Sequence, residues 1–140
     1  MANSRRGDLE LRVAHDLPHA ILPLYAAACD LILCTSETEG WPNSVKEALA
    51  CNVPFVSTDV SDLGEIARQE PTCRVCAPDA GALAGGICDA LETAGRAELR
   101  KYVAPMSLEA TSDRLVGIYQ SLVAGRRPAS RSASAHVSVG

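Results

Sequence analysis

Short, strongly apolar runs separated by helix-like stretches are the feature that most constrains the fold of this 140-residue chain. Leu31–Cys34, Pro54–Thr58 and Thr72–Ala77 are three such runs, and Leu9–Val13 alternates apolar and polar side chains. Continuous apolar runs are typical of strands that are buried on both faces of a parallel sheet. The pattern therefore predicts four strands, joined by right-handed crossovers, in an α/β domain with a Rossmann-like parallel sheet and flanking helices.

Helix signals lie between these runs. Asn43 is predicted to be the N-cap of a helix with Val45, Ala48 and Leu49 on its apolar side, and Asn52 to end that helix in a left-handed conformation. Because a doubly wound sheet normally has five or six strands, the four predicted here leave the sheet incomplete at its N-terminal edge. The other predicted helices cover Pro18–Cys29, Asp62–Arg68, Asp79–Ala94, Arg96–Tyr102 and, capped by Ser107, a last segment that ends near Val123.

Charge and hydropathy exclude several classes of protein. The formal net charge is −4, and residues 1–124 carry 10 basic and 17 acidic side chains, which argues against nucleic acid as the main partner. The longest apolar run, Ala20–Cys29, is shorter than the roughly 20 residues that a membrane span needs, so no transmembrane segment is expected. Met1–Gly7 has no apolar stretch behind its arginines, so a secretory signal is not expected and the chain is predicted to be cytoplasmic.

Three segments are expected along the chain. Residues 9–124 are predicted to form a partial Rossmann-like domain, residues 1–8 a disordered or tag-like start, and residues 125–140 a disordered tail rich in Ser, Ala and Arg. The tail carries Arg126, Arg127 and Arg131 and no acidic residue. A solvated tail is the simpler interpretation, and a peripheral position at the inner face of the membrane is the alternative.

The six cysteines do not form a recognisable site in the sequence. Without a secretory signal, a disulfide framework is not expected. Cys73 and Cys76 have the spacing of half a zinc site, but no second pair follows them. No metal site is therefore predicted.

The loop Thr35–Pro42 is the most unusual stretch because it follows a buried strand at its carboxyl end, where open α/β sheets bind ligands. Gly40 permits a positive φ or a close approach of the backbone, and Pro42 restricts Trp41 to extended conformations. Free backbone N–H groups at the start of the next helix suit an anion such as a diphosphate. These N–H groups belong to Asn43, Ser44 and Val45.

Two carboxylates, Glu39 and Glu47, stand eight residues apart around this helix start. An ionised carboxylate accepts hydrogen bonds from two neighbouring hydroxyls, as sugar and ribose diols present them, so the pair suits a nucleotide diphosphate sugar. Hydrolytic acid–base catalysis by two carboxylates about 5–10 Å apart remains an alternative. Taken singly, Glu47 is more often a residue of a first helical turn and Trp41 more often a packed side chain.

The continuous stretch Glu39–Asp59 resembles the E-x7-E signature of retaining glycosyltransferases with the GT-B fold, known as group 1 or family 4. Leu24–Asp30 is similar to the helix that precedes this motif in the family, and Ser36 matches the serine of its loop. Ser107–Tyr119 resembles the terminal helix of its C-terminal domain. The resemblance covers about residues 9–124 and implies the C-terminal, donor-binding half of a GT-B fold.

The resemblance also implies roles for individual residues. Glu47 would hold the ribose hydroxyls of a nucleotide diphosphate sugar, and Glu39, as the catalytic residue, would contact hydroxyls of the transferred sugar. Backbone amides from Gly40 to Asn43 would contact that sugar, and the helix start would offset the diphosphate charge. Transfer would retain the anomeric configuration and need no metal or other cofactor. The acceptor would be a polysaccharide, a lipid or a small molecule. The amino-acid sequence of the motif is most similar to that of enzymes of bacterial surface polysaccharide synthesis.

The sequence departs from the family pattern at several positions. Thr35 replaces a proline, Asn52 stands where glycine is common, and Ser61–Asp62 replaces a glycine-containing turn. The acceptor domain of the family, and the segment with an arginine and a lysine for the donor diphosphate, have no counterpart here. We therefore expect a chain that is inactive alone and is completed by a separate N-terminal acceptor domain or a partner chain. The alternatives are a non-catalytic nucleotide- or partner-binding module with the same fold and, less well supported by the motif, a relative of the sugar-nucleotide epimerases.

Overall fold

The computed structural model describes residues 7–93 and 97–125, and it divides the chain into two compact units, residues 1–104 and 105–140. The first unit alternates helices and strands, as the sequence predicts. Its elements are α1 (Leu22–Ala27), β1 (Ile32–Cys34), α2 (Asn43–Ala50), β2 (Phe55–Thr58), α3 (Leu63–Gln69), β3 (Arg74–Cys76), α4 (Ala80–Glu92) and the 3-10 helix η1 (Leu99–Tyr102). A second 3-10 helix, η2 (Ala104–Met106), and α5 (Leu108–Val123) follow.

The three strands form a parallel sheet in the order β1-β2-β3. Ile32 pairs with Phe55 and Val56 pairs with Arg74, so β2 is the central strand. All four residues of β2 are buried, as expected for a strand covered on both faces. This arrangement confirms the predicted α/β fold with a Rossmann-like parallel sheet and flanking helices.

The core of the first unit is built around Phe55, which is fully buried. Strands β1 and β2, helices α2 and α3 and the 3-10 helix η1 contribute side chains to this cluster, because α2 and α3 turn their apolar faces towards the sheet. Its other members are Cys34, Val45, Leu49, Val60, Leu63, Ile66, Cys73, Leu99 and Val103. The predicted apolar side of the second helix, with Val45, Ala48 and Leu49 fully buried, is confirmed.

The predicted strand Leu9–Val13 is wrong, because the structure assigns no strand to these residues. Leu11 is 77% exposed and Val13 is 74% exposed. A strand needs a neighbour to satisfy its backbone N–H and C=O groups. In the sheet formed by the described residues, no strand lies beside this segment. Alternation of apolar and polar side chains was therefore not sufficient to predict a strand.

Several predicted boundaries shift for local reasons. Pro42, with an extended backbone, is the N-cap of α2, and Asn43 is the first helical residue rather than the cap. The helix predicted over Pro18–Cys29 is reduced to α1, which keeps Pro23 in its first turn, where a missing N–H is tolerated. The predicted left-handed conformation of Asn52 is confirmed by its φ of 61°.

The predictions for the last third of the chain fare differently from one element to the next. Asp79 caps α4 by accepting hydrogen bonds from the N–H groups of Gly81 and Ala82, both at 2.9 Å. The segment predicted as a helix over Arg96–Tyr102 contains the shorter 3-10 helix η1. Four predicted features lie outside the described residues. They are the end of one predicted helix at Ala94, the beginning of the next at Arg96, residues 1–6 of the predicted start and residues 126–140 of the predicted tail.

The second unit consists, in its described part, mainly of α5. Ser107 caps this helix by accepting a hydrogen bond from the N–H of Ala110 at 3.1 Å, as predicted. No residue of α5 is buried. Its apolar face carries large exposed side chains, namely Leu108, Leu115, Ile118, Tyr119 and Leu122.

Gly86 allows α4 to lie directly on the sheet. A Cβ atom at this position would come within 2.5 Å of the Sγ of Cys76 and 3.4 Å of a methyl group of Val56. We expect Gly86→Ala to lower the free energy of unfolding by about 1–3 kcal/mol, the usual cost of overpacking a core. Urea denaturation followed by circular dichroism measures it.

The clash itself supplies the control for this prediction. Cys76→Ala removes the Sγ atom that the new methyl group would meet. The double variant Cys76→Ala/Gly86→Ala should therefore regain part of the lost stability. If Gly86→Ala unfolds at the same urea concentration as the parent chain, the close approach of α4 to β3 is not tight in solution.

A buried carboxylate joins η1 to the end of α3. The Oε1 atom of Glu70 accepts hydrogen bonds from the hydroxyl of Tyr102 at 2.8 Å and from the ammonium of Lys101 at 2.7 Å. The hydrogen bond from Lys101 lowers the pKa of Glu70 from its ordinary value of 4.5, with Tyr102 acting in the same direction against the opposing effect of burial. Burial and the hydrogen bond to Glu70 raise the pKa of Tyr102.

Glu70 is therefore expected to make the first unit sensitive to acid. Because its pKa is lower in the folded than in the unfolded chain, its contribution to stability is present above the unfolded pKa and is lost as pH falls through the folded pKa. We expect the free energy of unfolding to fall more steeply below pH 4.5 in the parent chain than in Glu70→Gln. Parallel pH profiles from urea denaturation test this, and identical slopes would show that Glu70 is not coupled to folding.

Candidate functional site

The candidate site is the loop that leaves β1 at its carboxyl end and enters α2. Its start is tied to the neighbouring strand, because the Oγ1 hydroxyl of Thr58 at the end of β2 donates a hydrogen bond to the carbonyl of Ser36. The side chain of Ser36 in turn donates to Oε1 of Glu39 at 3.0 Å. The structure thus brings together two of the predicted site residues, and the end of β2 fixes the backbone from which they project.

The second part of the loop is anchored by packing. Pro42 is buried, and Trp41 is half-buried against the core cluster. The ammonium of Lys46 lies 5.9 Å from the centre of the Trp41 ring, a distance at which the cation is attracted to the ring face. The packing role of Trp41, which the sequence left open beside a binding role, is therefore real.

The indole N–H of Trp41 is enclosed and forms no hydrogen bond within the described part of the chain. Such a donor costs about 1–3 kcal/mol when it is left unsatisfied.

The start of α2 presents free backbone donors. The first helical hydrogen bond runs from the N–H of Lys46 to the carbonyl of Pro42 at 3.1 Å, so the preceding three N–H groups are not used by the helix. These groups belong to Asn43, Ser44 and Val45. Val45 is fully buried, whereas the side chains of Asn43 and Ser44 are exposed.

Gly40 has a different role from the one that its conformational freedom suggested. Its φ is not positive, so the turn does not require a glycine. A Cβ at this position would meet no atom within 4 Å. The space in front of the backbone is open, so the other predicted reason for a glycine, a close approach to the backbone, stays a prediction.

The two carboxylates differ in their surroundings. Glu39 is exposed in the loop, where Ser36 holds one of its oxygens. Glu47 is half-buried in the second turn of α2, between the buried positions 45 and 48. That both line the same crevice remains a prediction, since the two are placed on adjoining elements without a contact between them being shown.

A cavity of about 580 Å³ adjoins the loop at the carboxyl ends of β2 and β3. Polar and sulfur-containing side chains line it beside Val75, Ala77 and Pro78, and these are Glu37, Thr58, Asp59 and Cys76. Glu37, Thr58 and Asp59 were not predicted from the sequence as site residues. The rule that selected residues 35–47, position just after a buried strand, applies equally to Thr58 and Asp59 and would have found both.

The loop after β2 shows how this sequence accommodates one of its departures. Ser61 has a φ of 53°, a left-handed conformation that glycine adopts without strain. The chain therefore keeps the turn but with a side chain at this position. Asp62 follows as the N-cap residue of α3 and makes no capping hydrogen bond through its side chain.

The described residues contain neither a cluster of metal ligands nor a helix that could span a membrane. Within residues 7–93 and 97–125, no three His, Cys, Asp or Glu side chains are grouped as metal ligands would be. Cys73 and Cys76 carry free thiols, and burial raises the pKa of both. Over the same residues, no helix has the length and apolar character needed to cross a membrane.

Comparison with known proteins agrees with the geometry. Residues 7–93 match the family of group 1 glycosyl transferases, and since this is more than half of the chain, the chain belongs to that family. No curated protein matches the sequence closely enough to add a specific activity.

A solved structure shows the same fold. The sucrose-phosphate synthase of Thermosynechococcus elongatus superposes with a TM-score of 0.64 at 24% identity, over 80% of this chain. The match covers 30% of the synthase chain, so the present chain spans less than a third of that enzyme. The likeness defines a partial match to a GT-B fold and carries no statement about substrates.

Proposed function

We propose that residues 35–47 form the donor half-site of a retaining, nucleotide-sugar-dependent glycosyltransferase. The observation that carries this proposal is the loop between β1 and α2, in which Glu39, the free amides of the α2 start and Glu47 follow one another at the carboxyl edge of a parallel sheet. Membership of the group 1 family supports a sugar donor. The crevice position supports a nucleotide as the carrier.

Each residue receives a role that its surroundings suit. Glu39, with one oxygen held by Ser36, offers its remaining acceptor capacity to hydroxyls of the transferred sugar. Gly40 leaves the backbone accessible to that sugar. Glu47 accepts hydrogen bonds from the ribose diol, and the start of α2 stabilises negative charge on the departing diphosphate.

The charges of the crevice indicate that this half-site is incomplete by itself. From Thr35 to Asp59 the sequence contains one basic residue, Lys46, which lies over Trp41, and four acidic residues. The acidic residues are Glu37, Glu39, Glu47 and Asp59. We therefore propose that cations for the diphosphate and the acceptor-binding surface come from outside residues 7–125, from another domain or a partner chain, and that the described part is inactive alone.

Calorimetric titration with UDP-glucose, GDP-mannose and other nucleotide sugars tests the half-site. We expect weak binding that strengthens a few-fold as ionic strength rises from low salt to about 0.5 M, since salt screens the repulsion between the acidic crevice and the diphosphate. Uridine and guanosine, which are uncharged, are the matched controls and should show no such dependence. Binding that weakens with salt, or no binding at any salt concentration, would contradict the proposal.

The same acidic crevice favours one alternative, a module that binds a nucleotide or a protein partner without transferring sugar. Turnover distinguishes this module from the enzyme once the acceptor domain or partner chain is supplied. A completed assembly that binds nucleotide sugars but releases no nucleoside diphosphate would support the module. Acceptor-dependent release of nucleoside diphosphate would support the enzyme.

We also propose a role in polysaccharide synthesis, which rests on the motif alone, and a cytoplasmic or membrane-peripheral location. Product analysis of the assembled enzyme with bacterial polysaccharide and lipid acceptors tests the first. Fractionation of cells that express the chain tests the second.

A further inference from the structure

The segment Ala97–Val103 lies at the amino ends of the strands, opposite the candidate site. It contacts both helices that begin at that site. We call this segment the clasp. Its Leu99 is fully buried and its Val103 is 7% exposed, and both belong to the core cluster. The clasp therefore packs into the first unit as an integral part of it.

The first attachment of the clasp is to the C-terminal end of α2. The backbone N–H of Arg100 donates to Oδ1 of Asn52 at 2.9 Å, and Nε of Arg100 donates to the carbonyl of Ala50 at 2.7 Å. That carbonyl lies in the last turn, where carbonyls have no partner within the helix. Asn52 tolerates the left-handed conformation as glycine does and adds an acceptor that glycine lacks.

The second attachment is to the C-terminal end of α3. Glu70, the C-cap residue of that helix, accepts hydrogen bonds from Tyr102 and Lys101 of the clasp. The side chain of Glu70 is 11% exposed, so these bonds form in a mostly enclosed position. The hydroxyl of Tyr102 also approaches Oε1 of Gln69 at 3.4 Å.

The opposite ends of the same two helices flank the proposed donor site. Helix α2 begins at Asn43, directly after the site loop, and α3 begins at Leu63, directly after the loop that contains Asp59. We propose that the clasp sets the spacing of α2 and α3, and that Asn52, Arg100, Glu70 and Tyr102 are thereby positioning residues for the helix starts at the donor site. The part of this inference that concerns the donor rests on the function proposed above.

Hydrogen exchange of single amides, measured by NMR on the full chain, tests the clasp without any ligand. The reporters are the N–H of Lys46, bonded to Pro42 at 3.1 Å, and the N–H of Glu65, bonded to Asp62 at 3.0 Å. Amides within α4, which the clasp does not hydrogen-bond, serve as the reference for global unfolding. We expect Asn52→Gly to accelerate exchange at Lys46, and Tyr102→Phe at Glu65, by about fivefold relative to α4, the effect of one lost hydrogen bond.

Two further variants separate positioning from general loss of stability. Asn52→Asp keeps both the acceptor and a tolerance for the left-handed conformation, and should leave Lys46 as in the parent chain. Arg68→Ala removes an exposed ion pair of 3.9 Å with Glu65 on α3 without touching the clasp, and should not reproduce the effect of Tyr102→Phe. Changes confined to residues 50–52, 69–70 and 97–103, or an equal response to Arg68→Ala, would overturn the inference.

Titration of the same variants with UDP-glucose or GDP-mannose keeps the two proposals apart. If the helix starts respond and donor affinity falls by about fivefold in Asn52→Gly but not in Asn52→Asp, both proposals are supported. If the amides respond while the parent chain binds no nucleotide sugar, the function fails and the positioning of the helices stands. If the parent chain binds but the amides do not respond, the positioning role of the clasp is wrong.

Discussion

Replacing Glu47 by alanine is expected to weaken nucleotide-sugar binding by about ten- to a hundredfold, because hydrogen bonds to a charged group contribute about 1.5–3 kcal/mol. Glu47 is half-buried in the second turn of α2, one turn after the free amides of the helix start. Glu47→Gln keeps the shape and one carbonyl acceptor, and should bind with intermediate affinity. Calorimetry on each variant measures the loss.

Glu92→Ala is the matched control for this substitution. Glu92 is an exposed carboxylate at the C-terminal end of α4. This end of α4 lies towards the amino ends of the strands, away from the candidate site. The substitution Glu92→Ala changes the net charge by the same amount as Glu47→Ala and should leave the affinity for nucleotide sugars unchanged. If Glu47→Ala binds as the parent chain does, or if Glu92→Ala loses as much affinity, Glu47 does not contact the donor. Sugar transfer by the completed enzyme should fall in parallel with the affinity.

Replacing Phe55 by alanine is expected to lower the free energy of unfolding by about 3–5 kcal/mol, the usual loss for a buried phenylalanine. Phe55 is fully buried in the central strand, where α2, α3 and the clasp contribute side chains to the cluster around it. Since small domains are stable by only about 5–15 kcal/mol, this single change removes a large part of the total. Urea denaturation, followed by circular dichroism at two temperatures, measures the effect.

Leu24→Ala is the control for the core substitution. Leu24 is 72% exposed on α1, and removing an exposed side chain usually changes stability by less than about 0.5 kcal/mol. A loss in Phe55→Ala no larger than that in Leu24→Ala would mean that the sheet does not close around Phe55 in solution. A loss of the expected size would support the layered arrangement on which the site geometry depends.

The sequence predicted the central layers of this fold well because their signals are local. Cys34 and Phe55 lie in short apolar runs bounded by turn residues, and the structure places both in paired strands. The left-handed Asn52 and the cap Ser107 were also predicted, since each depends on the preference of one residue for one conformation.

What the sequence did not predict depends on partners that are distant in the chain. Leu9–Val13 alternates like a strand, but no neighbouring strand accompanies it among the described residues. The clasp depends on contacts between Arg100 and Asn52, 48 positions apart, which no periodic pattern reveals. The bond from Thr58 to Ser36 likewise fixes the site loop from a different strand.

The candidate site was likewise predicted where its signals are local and missed where it depends on residues distant in the chain. The loop, Glu39 and Glu47 were recognised from their order and spacing. Of the two alternatives predicted for Gly40, the positive φ is not found, and a close approach of the backbone stays a prediction. Glu37, Thr58 and Asp59 emerged once the sheet aligned the ends of β1, β2 and β3 along one edge. Motifs within one loop are visible in a sequence, while a crevice assembled from several loops requires the fold.

The most direct test of the account is a map of amide chemical shifts in the full chain during titration with UDP-glucose and GDP-mannose. If the site is the donor half-site, the largest changes will fall on residues 36–47, with smaller ones at Thr58 and Asp59. The second cavity, of about 550 Å³, lies at the other edge of the sheet beside Asn52 and Pro54 and provides a built-in comparison. Shifts that concentrate there, or that are absent from residues 36–47 at saturating nucleotide sugar, would contradict the proposed function.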